Sequence, residues 1–367
     1  MTRREFVGGL GAAALAAGCR SVPTGKRPVR VVIWGITHEH ATGKLWSIGD
    51  MKDEYELVGV VDDRDTKTPC AFKLRPEFWE GIPRLTPEQV FADKSIDCVF
   101  VETTNDDLVP TAWKIAEHGR PMHLDKPGGQ SLGPYVELMN YCEKRKIPVQ
   151  MGYMYRVNPA IKFAEKAVKA GWLGELCSVE ADMFHNYGGK MYADYIATFK
   201  GGVLYNLGCH LVDSILPMFG DEEPVAVHPV MLSAPGDRAD AMTNCVSVLE
   251  YPHATATIRS CSQCAEAGSR RQMRINGTKG AIQICPIERF DGKPLTLEMR
   301  LEMDVPGYKA GTHIVDVGIQ KDRFAEQLRE FAEIVRGERP NPAGQYAHDI
   351  AVHRTTLRAC GMMSSEL

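Results

Sequence analysis

The sequence predicts an α/β chain: a parallel sheet interleaved with helices in its N-terminal part, then an α+β unit built on a largely antiparallel, open sheet. Three observations lead there. From residue 28 to about 150, short β-branched runs alternate with helix-length stretches, the rhythm of parallel strands joined by crossover helices. Each of these early runs is mostly apolar, as a strand buried on both faces is. After about residue 155 strand-like runs follow one another without long helices between them.

Pro28–Trp34 (PVRVVIW) is the first run and stops at Gly35, and a helical stretch from about Ala41 to Met51 follows. Glu56–Asp62, Asp97–Glu102, Pro121–Asp125 and Pro148–Gly152 read as further strands, with helices over Leu108–His118 and Leu132–Arg145. The second unit opens with a helix at Pro159–Ala170, a strand at Leu176–Phe184 and a helical stretch at Leu204–Phe219. Strand-like runs then cover Pro224–Ser233, Thr243–Leu249, Thr255–Cys261, Gln272–Asn276, Ala281–Cys285 and Leu295–Leu301. Gly277 and Gly280 bracket a hairpin turn. Asp322–Arg336 and Tyr346–Met362 are amphipathic helices. The expected partition is a leader and linker (1–27), a Rossmann-type dinucleotide-binding unit (28–150), a second unit for substrate and oligomer contacts (151–345), and a C-terminal helix (346–367).

Of the 367 residues 44% are hydrophobic and 25% charged, ordinary globular values. The net charge is −4 and no run of five or six like charges occurs, so neither a nucleic acid nor a membrane surface is an expected partner. A chain this long buries enough apolar surface to fold without disulfides, so most of its 11 scattered cysteines read as buried thiols. Residues 1–20 stand apart. Paired Arg3 and Arg4, Phe6 and a short Gly/Ala/Leu stretch, too short to span a membrane, read as an export signal of the twin-arginine (Tat) type. Leu15–Cys19 resembles a lipoprotein cleavage box, with Ala16 where Leu is usual, which makes Cys19 a candidate lipid anchor. The expected location is periplasmic, or membrane-anchored as a lipoprotein.

Between the first strand and the first helix lies Gly35-Ile36-Thr37-His38-Glu39-His40. A helix N-terminus there can bind the pyrophosphate of a dinucleotide. Of the usual G-x-G-x-x-G only the first glycine is present; Thr37 and His40 hold the other two positions. Asp62, at the end of the second strand, can accept from ribose hydroxyls and repel a 2′-phosphate, favouring NAD over NADP. It lies further from Gly35 than the usual ~20 residues. His38 and His40 could ligate zinc or another transition metal, but no third ligand is identifiable by spacing and no metal is expected. Cys261-Ser-Gln-Cys264 is a lone CxxC and reads as structural.

Lys126, directly after a buried strand, would face the crevice where open α/β sheets bind ligands, and could polarise a hydroxyl or pass a proton. On a regular helix Asn206, His210 and Asp213 share one face, and would either pair with one another or line a cleft.

Asp125-Lys126-Pro127, Thr103-Thr-Asn105, Gly152-Tyr-Met-Tyr-Arg156-Val-Asn158-Pro159 and Gly201-Gly-Val-Leu-Tyr-Asn206-Leu-Gly-Cys-His210-Leu-Val-Asp213 together resemble, in order and spacing, the motifs of the Gfo/Idh/MocA oxidoreductases. The resemblance runs from residue 28 to about 365. It implies Lys126 as the catalytic lysine and His210 as the acid/base. It also implies cofactor contacts from Gly35, Ile36, Thr37, His38, His40, Asp62, Thr103, Asn105, Asp125 and Lys126, and substrate contacts from Arg156, Tyr187 and Asp213. Asn206 replaces the motif's aspartate; an amide orients but does not exchange a proton. Proton transfer then falls to His210 and Lys126, or to Tyr187 or His185.

The expected function is an exported, NAD-dependent oxidoreductase acting on a sugar or polyol, a homo-oligomer whose cofactor is tightly bound. Two alternatives stand beside it: an NAD-dependent glycosidase or lyase working by transient oxidation, and a non-catalytic sugar or metal sensor.

Overall fold

The computed structural model describes residues 26–63 and 75–364; the leader and Cys19 lie outside the described residues. The first unit runs β1 (Val29–Trp34), α1 (Glu39–Asp50), β2 (Tyr55–Val61), α2 (Pro87–Ala92), β3 (Cys98–Val101), α3 (Asn105–Glu117), β4 (Met122–Leu124), α4 (Leu132–Arg145) and β5 (Val149–Met151). Its five strands lie in the order β2-β1-β3-β4-β5, every pair parallel. The apolar strand sequences follow from this: all four residues of β3 and five of the six in β1 are buried, as helices on both faces of a parallel sheet require.

The second unit continues with α5 (Pro159–Lys169), β6 (Leu176–Phe184), α6 (Lys190–Ile196), α7 (Cys209–Ile215), β7 (Ala226–Leu232), β8 (Asn244–Glu250), β9 (Thr255–Cys261), β10 (Gln272–Gly277), β11 (Gly280–Ile284), β12 (Thr296–Leu301) and β13 (Gly311–Asp316). These strands form one sheet, β13-β12-β11-β10-β6-β9-β8-β7, antiparallel except for the β6–β9 pair. α5 starts at Pro159 behind Asn158, whose Oδ1 accepts from the Ala160 and Ile161 amides, and buries Ala160, Ile161, Ala164 and Ala167 along one stripe. Short, largely exposed β13, with only Val315 buried, and the short helices α2 and α6 give too little periodicity to be read from sequence.

α8 (Ala325–Val335) and α9 (Gln345–Ala359) complete the chain. α8 corrects the expected partition. Placed by sequence in the second unit, it lies instead on the first sheet. Its Phe331 is fully buried beside Phe100 of β3 and His123 of β4, with ring centroids 6.2 Å from each. Tyr55 Oη donates to the Leu328 carbonyl at 2.6 Å, and Gln327 exchanges hydrogen bonds with Met151 and Gln150. The chain thus returns to cover a sheet face that the helices of its own first half leave open. α9 packs on both α4 and α7 and ties the units together. Among the described residues no helix is long and apolar enough to cross a membrane.

Removing the ring that seats α8 should be costly. Phe331→Ala is expected to lower stability by about 3–5 kcal/mol, read as a shift of the urea midpoint; a change below about 1 kcal/mol would show that α8 is not part of the first unit's core.

Candidate active site

The strand order turns at β1, which lies between β2 and β3, so the loops at the carboxyl ends of β1, β3 and β4 open onto one crevice. Gly35 leaves β1 at φ +100°, and a Cβ there would lie 2.6 Å from the backbone of Glu102 and Thr103. This glycine is therefore required by the approach of two strand ends, whatever ligand binds. The next two amides, Ile36 and Thr37, donate to Oδ1 of Asp63 at 2.7 and 3.2 Å, and Thr37 Oγ1 donates to Oδ2 at 2.9 Å. The anion-binding loop expected from the sequence is present, but it holds the chain's own carboxylate. Asp62, beside it, pairs with Arg84 at 3.5 Å and is partly exposed. Burial raises the Asp63 carboxyl above its usual value against those hydrogen bonds.

His38 caps α1, its Nδ1 accepting from the His40 amide at 3.2 Å, and its Nε2 lies 3.1 Å from the Tyr195 hydroxyl of α6. Both imidazoles meet Asp125 at the end of β4: His40 Nδ1 to Oδ1 at 2.8 Å and His38 Nδ1 to Oδ2 at 3.2 Å. Burial pushes His38 down to about 3 and lowers His40 as well, so both are neutral. Burial opposes the charge of Asp125, but the hydrogen bond from His40 and the nearby Lys126 ammonium help keep the carboxyl well below its usual range. Glu102, after β3, is fully buried; its Oε1 takes Lys44 Nζ at 3.2 Å, and burial raises it to about 8. No local motif marks Lys44 or Glu102, and the sequence reading missed both.

Lys126 is buried. Its Nζ donates to the carbonyl of Asn206 at 2.7 Å and to Oδ1 of the same residue at 3.2 Å. The helix carrying Asn206 departs from expectation. Leu204–Gly208 is a π turn, α7 follows as regular helix, and Leu216–Phe219 is a 3₁₀ turn. Such π segments gather at functional sites; here the irregular turn brings both oxygens of Asn206 to one lysine. His210 lies in α7 beside the rings of Tyr153 and Tyr155, at 6.0 and 5.6 Å. Burial, reinforced by the charge of Lys126, holds its imidazole well below the ordinary value, so it is neutral, and its Nδ1 has no partner among the described residues.

Asp213, expected on the same face, is directed elsewhere. It pairs with Arg156 and with His348 Nε2 at 3.1 Å, and Arg156 also reaches Asp349 at 2.7 Å. Arg156 and Asp213, expected as substrate contacts, form an ion cluster with His348 and Asp349 of α9. Asn105 is likewise engaged, donating to the Pro127 carbonyl at 2.7 Å and accepting from Tyr205 Oη at 2.7 Å. Its amide holds the Lys126 loop, where a cofactor contact was expected. Thr103 is buried and donates to the Thr104 carbonyl at 3.2 Å. Tyr187 stands against His185 at 4.1 Å between ring centroids, at a cavity of about 340 Å³ lined also by Arg271, Glu266 and Ser269. Tyr192, unnoticed in the sequence, meets Tyr187 edge to face, and its hydroxyl lies 3.5 Å from Asn206 Nδ2. Cys261 and Cys264 are free thiols.

Residues 161–283 match the model of the GFO/IDH/MocA C-terminal domain. The chain is 24% identical over 256 residues to scyllo-inositol 2-dehydrogenase (NAD(+)) of Bacillus subtilis, covering 68% of this chain and 70% of that protein. Among solved structures, aldose-aldose oxidoreductase from Caulobacter crescentus superposes with a TM-score of 0.71 at 23% identity, over 91% of this chain and 98% of that one. GenD2 from gentamicin A biosynthesis, solved in complex with NAD, gives 0.72 at 18% identity, over 95% and 97%. Both share this fold.

The ion cluster yields a stability test. Arg156→Ala leaves Asp213 and Asp349, whose side chains are fully buried, without their shared cation. It should cost about 3–5 kcal/mol in urea unfolding; an unchanged midpoint would return Arg156 to the list of substrate contacts.

Proposed function

The chain belongs to the Gfo/Idh/MocA family, and from that premise we propose that it is an NAD-dependent oxidoreductase acting on a hydroxyl-bearing carbon of a sugar or polyol. The observation that carries the proposal is a buried Lys126, held across the two units by Asn206, with a neutral His210 four residues further along the same helical segment. The relative named for scyllo-inositol and NAD, and the neighbour named for aldoses, point to the same substrate class.

The residues present fit the cofactor. Ile36 N, Thr37 N and Thr37 Oγ1 converge on one carboxylate and would serve a phosphate oxygen equally well, once Asp63 yields its place. Asp62, at the end of β2, would take the ribose hydroxyls, which favours NAD over NADP. The nicotinamide supplies the hydride acceptor. Lys126 holds and polarises the substrate oxygen, and His210 takes the hydroxyl proton. Asn206 cannot exchange a proton; through its carbonyl and amide oxygens it aims Lys126. Tyr187, His185 and Arg271 border the space for the remainder of the sugar.

We further propose that the twin-arginine leader, with Arg3, Arg4 and Phe6, carries this chemistry outside the cytoplasm. That route carries folded proteins, so the cofactor would travel bound and be regenerated on the enzyme by a second carbonyl substrate or by reversal of a transient oxidation. The open sheet offers a face for self-association.

Purified protein should retain NAD through dialysis, with the nucleotide identified by mass spectrometry of the released ligand. Cofactor reduction with free sugars supports net oxidoreduction, and aglycone release from aryl glycosides without net reduction supports the glycosidase reading. Silence on both leaves a sensor. Lys126→Ala and His210→Ala should each lower turnover by roughly 10²–10⁴-fold with the circular dichroism spectrum unchanged; full activity in both removes the assignment. Asp63→Ala frees the loop amides and takes away a competing negative charge. It should tighten NAD binding about tenfold in calorimetry, about 1.4 kcal/mol, whereas weaker binding would show that Asp63 shapes the loop.

A further inference from the structure

We propose that His38, His40, Asp125 and Glu102 form a binding site for a first-row divalent cation of the zinc class, set in the crevice beside Lys126. One donor atom from each of the four lies within 4.8 Å of the others. The donors come from the carboxyl ends of three adjacent strands: the β1–α1 loop carries the two histidines, β3 leads to Glu102 and β4 to Asp125. The approach of Gly35 to the Glu102 backbone brings the first two strand ends together.

Two features point to a ligand beyond the clustering itself. Glu102 is fully buried, and its Oε2 has no hydrogen-bond partner among the described residues while Oε1 is held by Lys44. A carboxylate oxygen left bare in the interior is costly, and a cation in the cluster removes that cost. Asp125, moreover, presents one oxygen to each of two imidazoles, hydrogen-bonded to His40 and facing Nδ1 of His38, an arrangement that a metal between them can bridge. The outer groups are in place as metal ligands need them: Tyr195 Oη fixes Nε2 of His38, whose Nδ1 faces Asp125 and would give up its cap bond from the His40 amide to a cation, and Lys44 orients Glu102. Two imidazole nitrogens with carboxylate oxygens suit Zn²⁺ and its neighbours better than Mg²⁺ or Ca²⁺, which favour all-oxygen sets.

The cation would clamp the β1–α1 loop to the strand that ends at Asp125, one residue before the lysine. Its role is to position Lys126 and to close the junction with α6 through Tyr195. The inference is independent of the hydride-transfer reading, and its test reads metal directly.

The full chain, stripped with chelator and dialysed, is titrated with Zn²⁺ by calorimetry, and the metal content after desalting is measured by mass spectrometry. One Zn²⁺ per chain is expected, together with a higher melting temperature and, with Co²⁺ as probe, ligand-field absorption in the visible. His38→Ala and His40→Ala should each abolish tight binding, and Glu102→Gln should weaken it roughly tenfold or more. His348→Ala, in the other cluster of possible ligands formed by Asp213, His348 and Asp349, should leave the stoichiometry at one. Circular dichroism checks that each variant is folded. No binding by the unaltered chain, binding that survives loss of both His38 and His40, or binding lost only with His348, overturns the proposal.

Discussion

The chain leaves β1 so close to the end of β3 that any side-chain carbon at residue 35 would collide, at 2.6 Å, with the backbone of Glu102 and Thr103. Much of the crevice depends on this approach. It turns the Ile36 and Thr37 amides toward Asp63, starts α1 with His38 as its cap, and sends both imidazoles across to Asp125. The same approach sets Glu102 beneath the loop, where Lys44 from α1 compensates one of its oxygens. A missing Cβ thus decides where four ionisable side chains meet.

Two of the compensated charge groups in the molecule bear on the crevice and on the helices around it. Around the strand ends, Lys44, Glu102, Asp125 and the neutral imidazoles surround Lys126; beneath α9, Arg156 balances Asp213 and Asp349. Buried ions are tolerated only with partners this close. The two groups differ in how fully they are satisfied. The carboxylates of the Arg156 cluster are paired, whereas the strand-end cluster retains a bare oxygen on Glu102.

Much of the architecture is legible in the residues because it rests on local patterns. The mostly apolar runs of β1 and β3 mark strands buried on both faces, and the stripe of α5 behind Asn158 marks a helix and its start. Lys126 and His210 are legible from their motifs, and both reach the domain junction. The partition near residue 345 was not legible: α8 has the pattern of any amphipathic helix, and which sheet receives that stripe is a long-range outcome. The same holds for Asp213, which helical periodicity places with Asn206 and His210, but which a π turn and a nearby arginine draw into a different cluster.

His38 and His40 show where the boundary runs. Sequence alone determined that two imidazoles stand next to a helix start, that Asp62 ends β2 and that Lys126 ends β4, because strand, loop and cap chemistry act over a few residues. It offered no third metal ligand, since Glu102 and Asp125 lie far along the chain and no spacing rule connects them. Only the tertiary structure decided that they converge. Parallel strands deliver their carboxyl ends to one edge of the sheet, so residues from three separate loops come within bonding distance there.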